Sequence, residues 1–243
     1  MSAAVRAGAI PSKTARQLPV RAVLFDLDGT LIDSAPDLSA AVNRMRVARG
    51  LPALAEGVLR PHASHGARGL VGAGFGVTPE HPEFPPLREE FLAGYAAALC
   101  ERTVLFPGVA QLLDALESAR LPWGIVTNKA TRLTLPLLEA LALRLRPGCI
   151  VCGDTMARAK PHPEPLLAAA GLLGVPPADC VYVGDAERDV EAGNAAGMIT
   201  LVARYGYIRD DELPEQWRAA GCLAAPLDLL EWLPRVAASG LAC

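Results

Sequence analysis

The apolar run Val23-Leu24-Phe25 leads into Asp26, a one-residue spacer, Asp28 and then Gly29-Thr30. Side chains two apart on a strand leave the same face, so both carboxylates point together at the open end of such a strand. Gly29 lets the chain turn away behind them. Two carboxylates held that close repel unless one carries a proton or a cation sits between them. This is a poor arrangement for a core and a good one for chemistry.

Three later groups have the same character. Val126-Thr127-Asn128-Lys129 puts a hydroxyl and free backbone N–H groups at a strand end, where they can hold phosphate oxygens. In Lys160-Pro161-x-Pro163 the prolines stiffen the approach to a helix and fix where Lys160 points. The strand-like run Val181-Tyr182-Val183-Gly184 ends in Asp185, with Asp189 one helical turn further on. Acids so spaced share a face and suit a hard cation such as Mg²⁺. The lysines are Lys13, Lys129 and Lys160 alone, in a chain that otherwise uses arginine as its cation. Two of the three fall in these motifs, where a compact ammonium differs chemically from a forked guanidinium.

The elements that must position these groups alternate along the chain. Helix is expected near Val109–Ala119, strand at Trp123–Thr127, helix at Leu133–Ala142 and strand at Ile150–Cys152. Helix Glu164–Leu173, strand Val181–Val183, helix Glu187–Ala196 and strand Ile199–Val202 come next. A helix near Asp211–Ala219, a short strand at Leu223–Ala224 and a closing helix after Pro226 complete the series. Such βα alternation predicts an α/β fold, a Rossmann-like parallel sheet covered on both faces, with ligands beyond the carboxyl ends of its strands. Between the first strand and the rest lies a block with helical patterns only, at Ala35–Arg49, Glu56–Arg60, Ala67–Gly74 and Leu87–Glu101. The expected division is a tail over 1–20, a core over 21–35 and 105–243, and an inserted helical cap over 36–104.

Composition narrows the function classes. A slight negative charge among 243 residues gives no sign of a nucleic-acid partner. No apolar run approaches the roughly 20 residues that span a bilayer. The first twenty residues lack an apolar stretch typical of a signal peptide, so a cytoplasmic protein with reduced thiols is expected. Cys149-x-x-Cys152 has no second ligand pair and reads as buried strand. The run Gly69-x-x-Gly72-x-Gly74-x-Gly76 follows no strand and fails the context test for a dinucleotide loop.

The run Asp26-x-Asp28-Gly29-Thr30-Leu31-Ile32-Asp33-Ser34, with its three partner motifs in order, resembles the haloacid dehalogenase-like phosphatase superfamily over about residues 21–231. Within it the chain is most similar to the phosphoglycolate phosphatase group. Thr127-Asn128-Lys129, the cap placement and Tyr205-Gly206-Tyr207-Ile208 also resemble relatives that hydrolyse N-acetylmuramic acid 6-phosphate. The resemblance implies Asp26 as nucleophile forming an aspartyl-phosphate, and Asp28 as general acid to the leaving group, then base to water. It implies Thr127 and Lys160 on the phosphoryl oxygens, Asn128 among the substrate-binding residues, and Lys160 also pairing Asp26, favoured over its rival Lys129 by its proline framing. Mg²⁺ would be held by Asp26, Asp185 and the Asp28 carbonyl, with Asp189 one layer out. Asp28 is expected to be protonated at the first step, favoured by Asp26 and burial.

The cap implied by the resemblance would hinge near Asp33–Pro36 and Leu105–Gly108 and exclude water on closing. His62-x-x-His65-Gly66-Ala67-Arg68 is expected to face the core, with Arg68 pairing a substrate carboxylate. The two histidines lack the further ligands of a zinc site. The expected partner is a small phosphorylated metabolite, acted on by a monomer or homodimer. A dehalogenase would lack the second acid, and a phosphosugar mutase would return the phosphoryl group to sugar.

Overall fold

The computed structural model describes residues 20–233. The expected tail therefore lies outside the described residues except for Val20, which is buried in the core. In chain order the elements are β1 (Ala22–Phe25), β2 (Ile32–Asp33), α1 (Ala35–Ala48), α2 (Glu56–Leu59), α3 (Gly66–Phe75), α4 (Phe84–Ala97) and β3 (Val104–Leu105). Then come α5 (Val109–Ser118), β4 (Trp123–Val126), α6 (Thr131–Ala140), β5 (Cys149–Val151), α7 (Glu164–Leu173) and β6 (Cys180–Gly184). The last are α8 (Glu187–Ala195), β7 (Ile199–Ala203), β8 (Gly221–Leu223) and α9 (Leu229–Trp232).

The main sheet runs in the order β5-β4-β1-β6-β7-β8 and is parallel throughout. Its strands are apolar on both faces because both faces are covered. Val23 and Phe25 of β1, Trp123 and Ile125 of β4, and Val181 and Val183 of β6 enter one core. Ala22, Leu24, Val126, Cys180 and Tyr182 enter the other. This is period-two alternation without a polar side. Phe25 and Trp123 meet edge to face with centroids 6.3 Å apart, and truncating either would cost about 3–5 kcal/mol.

The chain first runs from β1 to β4 on one side and later to β6 on the other, so β1 stands where the winding reverses. Open α/β sheets bind ligands at that crevice. Cys149 and Cys152 are buried and unbridged, in and just after β5.

Helices α1 to α4 form the inserted cap. Leu38, Val42 and Met45 of α1 are buried with Leu70 and Val71 of α3 and Phe91 and Tyr95 of α4. A Cβ on Gly74 would come within 2.6 Å of Val42 Cγ1, so glycine lets α3 approach α1 closely. The cap joins the core through an antiparallel ribbon in which Ile32 pairs with Leu105 and Asp33 with Val104. Asp37 near the start of α1 accepts N–H bonds from Arg102 and Thr103, closing the entrance and the exit of the insert together.

The helix expected at Asp211–Ala219 is not formed; only a turn of 3₁₀ helix, Pro214–Gln216, is present. Pro214 cannot donate an i to i−4 bond, and Glu212 instead accepts from the Arg209 amide. Arg218 then takes a positive φ of 64°, which ends any helical path. Trp217 is buried against Val190 and Val202 all the same. The terminal strand spans Gly221–Leu223 rather than Leu223–Ala224. The closing helix is described as far as α9, and residues beyond 233 lie outside the described range.

Candidate active site

Asp26, Thr127 and Asp185 are the residues that come directly after β1, β4 and β6, three neighbouring strands, so their side chains emerge side by side. The Asp26 amide donates to Val183 O at 2.8 Å and the Thr127 amide to Val151 O at 2.9 Å, extending the ladders into the site. Two glycines make room for Asp185. Gly29 has φ +84°, and a Cβ there would fall 2.0 Å from Asp185 Oδ2. A Cβ on Gly206 would fall 2.4 Å from Asp185 Cβ. Neither position admits a side chain without displacing that carboxylate.

Lys160 is 4% exposed, and an unpaired ammonium at that depth would cost several kcal/mol. Its Nζ lies 2.9 Å from Asp26 Oδ1 and 2.7 Å from Asp189 Oδ1. It also donates to Val126 O at 2.9 Å and Tyr182 OH at 2.7 Å. Lys129 enters the same pocket with a different partner: its Nζ is 3.0 and 3.2 Å from the two Asp28 oxygens and 3.0 Å from Tyr95 OH in the cap. Burial works against the Lys129 charge, but Asp28 and Tyr95 outweigh it and hold the ammonium above the usual lysine range. The two lysines are thus not rivals for one place. Lys129, not Asp26, is the charged group in contact with Asp28, because Asp26 is already engaged by Lys160. Ser34 Oγ also donates to Asp28 Oδ1.

Asn128 is expected to bind substrate; both ends of its side-chain amide are engaged by the Lys160 backbone. Its Nδ2 donates to Lys160 O at 2.9 Å, and its Oδ1 accepts from Lys160 N at 3.0 Å. It fastens the Lys160 loop to the end of β4. The Thr127 hydroxyl accepts from the Lys129 amide at 3.2 Å and faces the pocket.

The electrostatics of the three-acid group decide what it can hold. Oxygens of Asp26, Asp185 and Asp189 all lie within 4.8 Å of one another, and the three residues are buried. Among the described residues this is the only such cluster of His, Cys, Asp and Glu. Burial pushes the Asp185 carboxyl up to about 7, Asp26 and Asp189 adding to the effect while Ser64 and the Tyr207 amide oppose it. Burial likewise raises Asp26 against the pull of Lys160. Asp189 also feels burial, but Lys160 and Arg188 overcome it and keep the group low.

Three carboxylates face two cations, Lys160 and Arg188, so negative charge is in excess. Asp185 Oδ1 is buried without a hydrogen-bond partner. Asp189, in contrast, is satisfied at both oxygens, by Lys160 and Tyr182 at Oδ1 and by the Ala186 amide at Oδ2. An all-oxygen donor set with one orphaned carboxylate oxygen fits a small hard cation. The Asp28 side chain stays outside this cluster.

The cap closes over these groups to leave a cavity of about 610 Å³. Its floor includes Asp26, Asp28, Thr127, Lys160 and Arg188, and Arg68, Arg88 and Arg132 also reach its wall. Arg68 is exposed at the rim. His62 and His65 do not join an ion cluster; His65 Nε2 faces Glu212 at 3.9 Å, and burial with Arg188 nearby holds it below the usual histidine range.

Motif spacing does not single out Ser64, Tyr95, Arg188 or Tyr207. Arg188 sits inside the Gly184–Asp189 motif, and a cation among acids there is the signal that could have found it. Tyr207 belongs to the Tyr205–Ile208 loop, but nothing in the chain signals that its amide reaches Asp185 at 2.9 Å.

Comparison with known proteins agrees with this architecture. The sequence profile of haloacid dehalogenase-like hydrolases matches residues 20–197. The chain is 42% identical over 220 residues to an N-acetylmuramic acid 6-phosphate phosphatase of Pseudomonas aeruginosa, covering 90% of this chain and 97% of that one. It is 46% identical over 211 residues to a phosphoglycolate phosphatase of Xanthomonas campestris, covering 87% and 95%. The crystal structure of a predicted phosphoglycolate phosphatase from Haemophilus somnus superposes with a TM-score of 0.77 at 27% identity, covering 88% of this chain and 97% of that one. A profile match over most of the chain, two relatives above 40% identity and a shared three-dimensional arrangement lead to one conclusion: this chain belongs to the haloacid dehalogenase-like hydrolases.

Proposed function

We propose that the enzyme, a phosphoric monoester hydrolase, is Mg²⁺-dependent, works through an aspartyl-phosphate on Asp26 and acts on 2-phosphoglycolate. The observation that carries this reading is the placement of Lys160 between Asp26 and Asp189, beside a buried acid cluster with an unpartnered oxygen. Asp26, Asp185 and the Asp28 carbonyl would hold the cation, with Asp189 behind them. When bound, it offsets the repulsion between a carboxylate nucleophile and a dianionic phosphate.

The protein groups divide the remaining work. Asp26 Oδ1 accepts from the Leu27 amide at 2.8 Å and is paired by Lys160, so Oδ2 is the oxygen left to attack phosphorus. Thr127 and Lys160 hold the phosphoryl oxygens as charge shifts toward the leaving group. As the anionic substrate arrives and draws Lys129 away, Asp28 takes up a proton from solvent and gives it to the departing alkoxide. Asp28 then takes a proton from the water that cleaves the acyl phosphate, which returns Asp26 and frees phosphate.

The pocket arginines Arg68, Arg88 and Arg132 suit a second anionic group, the carboxylate of a phosphorylated acid. One observation favours a second reading, N-acetylmuramic acid 6-phosphate, itself a carboxylate. A cavity of about 610 Å³ with Leu38, Phe91, Leu92 and Leu133 in its wall is roomier and more apolar than a two-carbon substrate needs. No described helix is long and apolar enough to cross a membrane, and the described cysteines are unbridged.

The test is kcat/KM for both phosphate esters, with Mg²⁺ and in excess EDTA. The proposal expects hydrolysis that EDTA abolishes and Mg²⁺ restores, with 2-phosphoglycolate ahead. Preference for the sugar phosphate would move the assignment to the second reading, and full turnover in EDTA would overturn the mechanism.

A further inference from the structure

The carboxylate at the end of β6 is held partly by the cap. Ser64 lies in the 3₁₀ turn Arg60–His65, and its hydroxyl donates to Asp185 Oδ2 at 2.5 Å across 121 positions of sequence. The Tyr207 amide donates to the same oxygen at 2.9 Å. Both donors therefore fall on Oδ2, and Oδ1 is left buried and unpartnered. The turn carrying Ser64 is itself anchored, since Arg188 donates to the Ser64 carbonyl at 2.7 Å.

The opposite end of Tyr207 reaches the hinge. Its hydroxyl accepts the Ser34 and Ala35 amides at 2.7 and 3.1 Å and lies 2.9 Å from Asp33 Oδ1. Arg60, in the same turn as Ser64, pairs with Asp33 at 2.9 Å and lies over the Tyr207 ring at 5.1 Å. Cap turn, hinge and acid cluster are thus joined by one chain of short contacts.

We infer that Ser64 is a cap-borne positioning residue for the cation site: seating the cap turns Asp185 so that its free oxygen faces the site, and a bound cation in turn holds the cap down. The inference rests on the cation reading above and adds to it a coupling between two domains. Groups that orient a metal ligand are typically worth 10–100-fold in metal affinity, and a coupling of this kind must act equally in both directions. Ser64 does not touch the reacting atoms.

The experiment is titration of the full chain with Mn²⁺ alone, followed by electron paramagnetic resonance, for wild type, Ser64→Ala, Ser64→Thr and Asp185→Asn. Ser64→Ala is expected to bind Mn²⁺ about tenfold more weakly, and Ser64→Thr, which keeps the hydroxyl, to bind within about threefold of wild type. Far-ultraviolet circular dichroism checks that both variants fold. Amide exchange over residues 60–66 should slow when Mg²⁺ is added to wild type and stay unchanged in Asp185→Asn. Equal Mn²⁺ affinity in wild type and Ser64→Ala would overturn the coupling and leave the cation reading standing. Absence of Mn²⁺ binding by wild type would overturn both.

Discussion

Beneath the cavity, Asp26, Thr127 and Asp185 stand at the ends of three parallel strands buried on both faces, with Lys160 and Asp189 locked between them. Above it, Arg68, Arg88 and Tyr95 belong to helices joined to the sheet by two pairs of strand residues. The lower groups are ions in a dry setting, each compensating another, so a change in one is felt by all. The upper cations reach water, where a single charge adds little to stability. On the proposed reading, chemistry is fixed where alteration is costly, and choice of substrate sits where it is cheap.

That contrast can be tested from both sides. The largest effect is expected on the lower wall. Asp26→Asn should cut kcat by roughly 10⁴-fold or more while the protein still folds, because the attacking oxygen is lost and the amide keeps the same shape. Steady-state turnover beside a circular dichroism spectrum checks this, and residual kcat above a tenth of wild type would break the scheme. Lys160→Met removes the cation shared by two buried carboxylates. It should destabilise the fold by about 3–5 kcal/mol in urea unfolding at neutral pH without added metal.

Asp185→Asn should act in the opposite direction on stability. Burial, with Asp26 and Asp189 adding to it, pushes the Asp185 carboxyl up to about 7, well above its unfolded value. A raised acid favours the fold fully below the unfolded value and loses that contribution as pH rises through the folded one. In EDTA the wild type should therefore lose stability from about pH 4 to pH 8 relative to the asparagine variant, which becomes more stable by about 1–3 kcal/mol at pH 8. Urea midpoints across that range supply the measurement, and parallel curves would remove the argument.

The smallest effect belongs to the upper wall. Arg68→Ala should raise KM for a carboxylate-bearing ester about fivefold, with kcat and unfolding within error of wild type, as for a rim charge worth about 1 kcal/mol. If Arg68→Ala instead destabilised the fold as much as Lys160→Met, the distinction between the two walls would fail.

The same contrast governs what the amino-acid order reveals. Residues 22–28 and 180–189 announce themselves because an uninterrupted apolar run stopping at an acid marks the open end of a strand buried on both faces. Proline framing favours Lys160 as the partner of Asp26, but local spacing could not say that Lys129 meets Asp28, since that depends on how the loops after β4 and β5 cross. Ser64 carries no periodic signal, and its partner is reached only through the closed insert. The ribbon of β2 and β3 is invisible because two residues are too few to display alternation. The expected helix at 211–219 failed because Pro214 and the loop's own hydrogen bonds stop it after one 3₁₀ turn.

That ribbon has an evolutionary consequence. Everything between residues 34 and 103 enters and leaves through neighbouring backbone positions, so the whole insert can be exchanged as a cassette without re-laying any strand of the main sheet. Grafting the corresponding segment of a relative onto this scaffold should transfer ester preference, provided the graft keeps the groups that reach down from the cap, Ser64 to Asp185 and Tyr95 to Lys129. The register leaves little tolerance at the seam. Deleting a single residue beside Ile32 would turn alternate side chains to the wrong face and leave the imported segment facing away from the crevice it is meant to cover.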